Sequence, residues 1–385
     1  TPTGDWSLAA QEEKLIASNP SSGDIFGEAV SISSDGNTAI VGARFEDTGG
    51  SNAGAAYIFT RSGSTWTEQA KIQSSDVQTN DNFGHSVSIS GDGNTAIVGV
   101  YKEDTGGTDA GAAYIFTRSG STWTEQQKIQ AGDIQAGDEF GWSVSISEDG
   151  NTAIVGARRE DTGGSSAGAA YIFTRSGSTW TEQAKIQTSD IAGGDFLGIS
   201  VSISSDGNTA IVGAYFEDAG GSNAGAAYIF TRSGSAWTEQ AKITASDAEA
   251  NDWFGWSASI SGDGNTAIVG AYREDTGGTD AGAAYIFVWD GTAWSQEAKI
   301  QAGDAQNTDN FGISVSLSED GNTAIVGARY EDTGGSDAGA AYIFTRSGST
   351  WTEQAKIQAG DVQSSDQFGH SVSISGDGNT AIVGA

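Results

Sequence analysis

Apolar and polar positions along this chain fall into short runs, and the same set of runs returns every 57 residues. The run Phe83 to Ser90 (FGHSVSIS) alternates with a period of two, as a half-buried strand does. Asp92-Gly93-Asn94 supplies turn chemistry before a second run, Thr95 to Val100 (TAIVGV). An acidic loop, Lys102 to Ala110, leads to a third, Gly111 to Arg118 (GAAYIFTR). Ser119-Gly120 then turns the chain into a fourth, Trp123 to Gln130 (WTEQQKIQ). Gly accepts the positive φ that such hairpin turns need. No stretch carries helical periodicity between caps. Small residues such as Ser86, Ser88, Ala112 and Ala113 suit strands packed tightly on both faces.

Phe-Gly opens the unit at residues 26, 83, 140, 254, 311 and 368, with Leu197-Gly198 in the remaining copy, and no insertion interrupts the series. A fixed period of this length implies a solenoid or a propeller. Four antiparallel strands per unit, repeated seven times, predict an all-β, seven-bladed β-propeller as one domain over residues 1–385, because radial closure protects the sheet edges. Fourth strands start at Trp66, Trp123, Trp180, Trp237, Trp294 and Trp351, and Trp6 starts another after a three-residue offset, so residues 1–25 are expected to supply a strand that closes the last blade. The sequence stops at Ala385, at the close of a second strand. The seventh blade is therefore expected to lack its third strand, as in a chain cut one strand short, and to offer an edge for pairing with another molecule.

The sequence W-T-E-Q-x-K-I, then D-x-F-G-x-S-V-S-I-S, then N-T-A-I-V-G-A, then G-A-A-Y-I-F resembles the FG-GAP repeat family of integrin-α-like propellers, and most of all its bacterial-type branch. The run Lys14 to Phe26 also resembles the opening segment of the integrin propeller. The resemblance covers essentially the whole chain. It implies a propeller and a role in adhesion or recognition at the cell surface or outside the cell.

Composition narrows the partners. Gly numbers 56 against 2 Pro, and the formal charge is −32. Nucleic acid is excluded as a partner, since phosphate binding needs clustered Lys and Arg, and an anionic membrane surface is disfavoured for the same reason. No run is long and apolar enough for a membrane helix, and nothing resembles a signal peptide. The sequence has no Cys and no Met, so thiol chemistry is absent and Thr1 reads as the start of a processed or excised piece.

Catalysis finds little to work with. There are 2 His, no Cys and no Gly-x-Ser-x-Gly elbow. Paired carboxylates such as Glu46-Asp47 and Glu103-Asp104 recur alike from copy to copy, whereas a catalytic dyad needs one unusual environment. The chain is therefore read as no enzyme, with no cofactor and no metal. Calcium fares little better. The loop after the first strand has shrunk to forms such as Ser34-Asp35-Gly36-Asn37, too few ligands for the ion. Asp76, Asp81 and Glu103-Asp104 would have to approach a cation jointly, against the plainer reading that Asp81 caps its own turn. His370, Glu28 and His85 belong to neighbouring copies around a closed ring, a conceivable transition-metal set, but packing at a blade junction explains them better.

The copies differ chiefly at one end of the strands. The residue after each Phe-Gly reads Glu28, His85, Trp142, Ile199, Trp256, Ile313 and His370. The pair after each second strand reads Arg44-Phe45, Tyr101-Lys102, Arg158-Arg159, Tyr215-Phe216, Tyr272-Arg273 and Arg329-Tyr330. Residues just before the Phe vary as well, including Phe196 and Trp253. Antiparallel pairing brings all these positions to one side of the disc. Arg, Tyr, Phe and Trp dominate binding hot spots, so this side is the expected ligand face, for a protein or a glycan. The opposite side is nearly uniform apart from Val288 to Ala293, which carries Trp289. Trp66 and its copies, with Tyr57-Ile58-Phe59, read as core. Two other functions stand beside the interaction module: a structural or engineered repeat scaffold without a ligand, and a lectin-like sugar binder.

Overall fold

The computed structural model describes Trp6, Ala9 and residues 11–385. Among these residues lie 26 strands and no α-helix, arranged as six four-stranded sheets and one two-stranded sheet. Blade one shows the plan: Phe26–Ile32, Thr38–Ala43, Ala55–Ser62 and Thr65–Ile72 pair in chain order, all antiparallel. In blade two the ladder of the first strand begins at Ser86 rather than at Phe83. Phe83 instead bridges in parallel to Gly54 of the preceding blade, and the next residue, Gly84, turns with φ of 91°.

The core lies between blades, and alternation along the third strand explains why. Tyr57 and Phe59 face one neighbour, where they meet Phe26 edge-on. Ile58, with the opposite parity, joins Phe83, Tyr114 and Phe116 of blade two. Both faces of these strands are therefore buried, which the run Ala-Ala-Tyr-Ile-Phe satisfies with no polar side-chain atom except the tyrosine hydroxyl. In blade two that hydroxyl is satisfied across the junction: Tyr114 donates to Asp76 Oδ1 (2.7 Å), while Lys128 Nζ reaches Asp76 Oδ2 (2.9 Å) and Glu103 Oε1 (2.7 Å). The same triad recurs as Tyr342, Asp304 and Lys356. Gly in the second strand has a separate cause. A Cβ on Gly99 would overlap the carbonyl oxygen of Gly141 in the next blade, and one on Gly384 that of Gly27, so only Gly allows blades this close.

The ring closes. At the axis a backbone belt runs from Ser34 to Gly91, Glu148, Ser205, Gly262, Glu319 and Gly376, each N–H donating to the next carbonyl, and Gly376 N returns to Ser34 O at 3.0 Å. Blade seven also meets blade one through Ser371 Oγ to Gly27 O (2.8 Å) and Ile32 N to Ser373 Oγ (3.2 Å).

Blade seven is incomplete. It consists of Ser371–Ile374 and Ala381–Gly384 among the described residues. The N-terminal segment takes the fourth-strand place: Gly360 N donates to Gln11 Oε1 (2.7 Å), Lys14 pairs with Asp361 (2.7 Å), and Ser18 N donates to Glu68 Oε2 (2.7 Å). The expected closing strand nevertheless forms no ladder, because no third strand lies beside it to accept its hydrogen bonds. Most of residues 1–10 fall outside the described set.

One other expectation needs correction. Of Trp66 and its equivalents only Trp180 belongs to the core, and the others are half-buried at its edge. Trp66 is half-buried, lies under the Arg61 guanidinium (5.6 Å to the ring centroid) and donates from Nε1 to Glu12 (3.3 Å), so it straps blades together at the outer rim. Only Trp180 of this series is fully buried. Trp289 stands where other blades place that Arg, and it packs on Trp294 (6.0 Å), replacing a cation–π contact by an aromatic pair.

Candidate functional site at the mouth of the ring

The first strands line the axis, and the diversified positions converge on one mouth of it. Their side chains touch one another in a chain that runs most of the way round. Arg44 Nη1 pairs with Glu28 Oε1 (2.8 Å), and His85 Nδ1 lies 3.4 Å from each of them. The His85 ring meets Tyr101 (4.5 Å) and Trp142 (4.4 Å). Arg158 covers the Trp142 ring at 3.1 Å from its centroid, while its Nε donates to Glu139 Oε2 (2.6 Å). Arg159 shares Glu139 (3.3 Å) and reaches over Phe196 (5.9 Å). An aromatic cluster follows: Phe196 against Phe216 (5.5 Å), Phe216 against Tyr215 (4.0 Å), Tyr215 against Trp256 (5.1 Å), and Trp253 stacked on Trp256 (5.9 Å, 23°). Tyr272 packs on both of those Trp, Arg273 covers Trp253 (4.3 Å) and pairs with Asp280 (3.2 Å), and Arg329 reaches Tyr272 (5.9 Å) and Tyr330 (4.6 Å).

These residues form two layers. Tyr101, Tyr215 and Tyr272 are each only 7% exposed, and Ile199 and Ile313 are buried. They make a floor, so their expected role as contact residues is corrected to support. Above the floor, the Arg159 and Arg273 side chains are 49% and 37% exposed. Phe45, Lys102, Phe216, Trp253 and Tyr330 are half-buried at the same level, with Arg44 over Phe45 (4.6 Å) and Lys102 over Tyr101 (5.6 Å). Arginine on an aromatic face loses less solvation than a bare charge would and keeps donors free for a partner.

Two further features set this mouth apart. The residue before each Phe-Gly or Leu-Gly adopts a left-handed backbone: φ is 61° at Asn82 and 57° at Asn310, but also 57° at Phe196 and 59° at Trp253. Asn accepts this conformation readily, whereas a bulky aromatic residue there costs about 1–2 kcal/mol. The chain therefore carries strain to present Phe196 and Trp253. Second, Glu28 Oε2, Arg44 Nε, Trp253 Nε1 and Arg329 Nε are buried without a hydrogen-bond partner among the described residues. Buried polar atoms without partners are costly, and these four are among eleven found in the described residues.

Burial holds both imidazoles below their ordinary pKa, and for His85 this outweighs the pull of Glu28 in the other direction. His85 is thus neutral at pH 7 and accepts from Arg44, whose guanidinium occupies the place between Glu28 and His85 where a shared ion would sit. The carboxylates weighed for calcium are likewise engaged. Lys128 lies between Asp76 and Glu103, Gln78 N donates to Asp81 Oδ2 (2.7 Å), and Asp109 N donates to Asp104 Oδ1 (2.8 Å). No group of three or more His, Cys, Asp or Glu suited to a metal ion occurs among the described residues. Asp81, Asp138, Asp252 and Asp309 are pushed up to about 6, by burial first and by neighbouring carboxylates second.

Sequence reasoning missed Glu139, which anchors both Arg158 and Arg159; its departure from the Asn found at residues 82 and 310 was the available signal. It also missed the other mouth. There Glu148, on the backbone belt, lines a cavity of about 580 Å³ with Asp35, Asp92 and Asp149. Burial and the adjacent Glu319 raise the Glu148 carboxyl above the ordinary range.

The FG-GAP repeat model matches residues 9–59, 66–116, 123–173, 180–230, 237–287, 294–344 and 351–385. Among curated proteins none matches. Among solved structures, the periplasmic gluconolactonase of Pseudomonas aeruginosa is similar at 14% identity and a TM-score of 0.57, over 93% of this chain and 88% of that one. The hydrazine synthase of Kuenenia stuttgartiensis is similar at 15% identity and a TM-score of 0.57, over 96% and 98%. At such identity the likeness is one of fold. No helix among the described residues is long and apolar enough to cross a membrane.

Proposed function

Since the chain belongs to the FG-GAP repeat family, a fold that serves many ends, we propose that it is a non-enzymatic interaction module of the cell surface or extracellular space, binding a protein or glycan at the diversified mouth. The observation that carries this reading is the placement of Phe196 and Trp253 in left-handed backbone where Asn would be unstrained. Strain of this kind persists where it is used. The exposed Arg159 and Arg273 supply charge that suits an acidic or hydroxyl-rich partner. The test is a glycan array and an array of extracellular proteins, probed with the intact chain and with an Arg159→Ser/Arg273→Ser variant. Hits that weaken at least tenfold in the variant support the mouth as the site. Hits that are indifferent to it, and to Lys102→Ser and Phe45→Ser, overturn it. Silence on both arrays favours the scaffold reading, which the self-packed tyrosine floor already makes reasonable.

A further inference from the structure

Every Lys or Arg side chain among the described residues makes an ion pair or a hydrogen bond except Lys102 and Arg329. Both unpaired cations lie at the diversified mouth, in a chain whose formal charge of −32 makes carboxylates abundant. Lys102 is a lone charge over Tyr101. Arg329 has company. Its guanidinium reaches Tyr272 (5.9 Å) and Tyr330 (4.6 Å), while Arg273 lies over Trp253 (4.3 Å), which packs on the same Tyr272 (5.5 Å). Burial pushes the Tyr272 hydroxyl up to about 12, and Arg329 and Arg273 both pull it back, so two cations bear on one hydroxyl. Asp280 is the carboxylate that answers them, and Arg273 already holds it at 3.2 Å. Only Nε of Arg329 is buried, so its two Nη groups face solvent.

We propose that Arg329 and Arg273 form a subsite for one carboxylate, carried on the terminal sugar of an otherwise neutral glycan, an inference that rests on the reading of this mouth as a binding site. Arginine presents a planar fork that takes a carboxylate through two parallel bonds, which a lone lysine does not. The positive charge here is also local. The screening length at physiological salt is about 8 Å, so a ligand group in the subsite feels the two guanidiniums far more than the distant acidic surface. A polyanion would press most of its charge against the rest of a chain at −32, whereas a single carboxylate on a neutral body meets the subsite alone. An extended peptide fits less well, because its recognition draws on main-chain bonds. The backbone N–H groups of this part of the rim are spent inside the chain: Arg273 on Asp252 O (3.4 Å), Trp256 on Trp253 O (3.2 Å), Ile313 on Asn310 O (3.1 Å) and Tyr330 on Asp309 O (3.2 Å). Side chains therefore do the recognising. Trp253 and Tyr330, half-buried beside the two guanidiniums, supply flat apolar surface that suits a sugar ring.

The experiment measures binding of the intact chain to immobilised oligosaccharides that end in one uronate or one sialic acid. Each is paired with the same oligosaccharide after reduction of its carboxyl to an alcohol. Expected is binding of at least one acid-ended glycan, weakened about tenfold or more by the reduction, the size of one well-placed charged hydrogen bond. Arg329→Gln should weaken the acid-ended glycan to a similar degree and leave its reduced twin unchanged. Arg329→Lys, which keeps the charge and loses the fork, should recover only part of the loss. Dichroism and melting temperature report whether each variant folds; if Arg329→Gln does not, Arg273→Gln carries the same test, since that side chain is 37% exposed. Equal binding of acidic and reduced twins, tighter binding of heparin than of every single-carboxylate glycan, or capture of a peptide by its C-terminal carboxylate in place of any glycan would each overturn the proposal. A partner that ignores the carboxyl yet weakens with Arg159→Ser/Arg273→Ser would overturn this subsite and leave the binding mouth standing, whereas no binding at all would overturn both.

Discussion

Tyr215→Ala separates the two layers of the mouth. Tyr215 is 7% exposed and its ring lies 4.0 Å from Phe216, 5.1 Å from Trp256, 5.4 Å from Trp253 and 5.7 Å from Phe196. Burying an aromatic ring removes about 150–250 Å² from water, worth at most about 4–6 kcal/mol at 25 cal/mol per Å². Large-to-small changes in cores cost about 3–5 kcal/mol, and a site beside the solvent collapses partly. The expected loss is about 3 kcal/mol. Arg159→Ser is the matched control: its side chain is 49% exposed and Glu139 keeps its closer pair with Arg158 (2.6 Å), so the loss should stay within about 0.5 kcal/mol. Urea unfolding followed by tryptophan fluorescence and far-ultraviolet dichroism reads both, compared as midpoints because a ring of seven blades need not unfold in one step. A Tyr215→Ala loss below about 1 kcal/mol, or an Arg159→Ser loss above about 2 kcal/mol, would refute the division into floor and contact layer.

Acidification from pH 7 to 5 should raise the melting temperature. Four aspartates with folded pKa near 6 bind protons in the native state that the unfolded chain, near 3.9, does not, and they outnumber the two depressed histidines, which act in the opposite sense. Changing Asp81, Asp138, Asp252 and Asp309 to Asn should remove most of that rise, and an unchanged slope would contradict the assignment. Ile25→Asn should stabilise by about 1 kcal/mol, because Ile25 is exposed and sits at φ 52°, a conformation that Asn tolerates; a lower melting temperature would count against the strain argument. Gly213→Ala should destabilise by more than about 2 kcal/mol, since its Cβ would meet the Gly255 carbonyl, and a neutral result would show that blades can shift apart. Chelator should leave the melting temperature in place, given that lysines hold the acidic loops, and a fall of more than about 10 °C in EDTA would reveal a bound ion.

The blades were legible because their determinants are local. Alternation, Asp-Gly and Ser-Gly turns and the 57-residue period each act within a few residues or by simple repetition, and the predicted runs match the observed strands to within one to three residues at their ends. The expected gap in blade seven was legible for the same reason. Contacts around the axis were not. Residues spaced by one repeat become neighbours only when consecutive blades pack, so nothing near Tyr101 announces that His85 and Trp142 will cover it. The misreading of Trp66 as core has a related origin: an aromatic residue repeated in every frame is needed in every frame, but at an outer strap as readily as in the interior.

What divides frame from function in this molecule is the direction in which each departure from the repeat moves stability. A frame position that changes usually finds a substitute contact, as when Trp289 replaces Arg and packs on Trp294. The mouth behaves differently. Phe196 and Trp253 add backbone strain, and the Arg44, Arg329 and Trp253 nitrogens are buried unpaired, although Asn at the strained positions would have avoided the first cost. Packing of the floor repays part of it, through the aromatic cluster around Tyr215 and Trp256. It leaves those polar atoms unpaired within the chain. A ring built from one repeat has no structural need for six different rim sequences, and the energetic cost at this rim is intelligible if a partner's contacts offset it on binding.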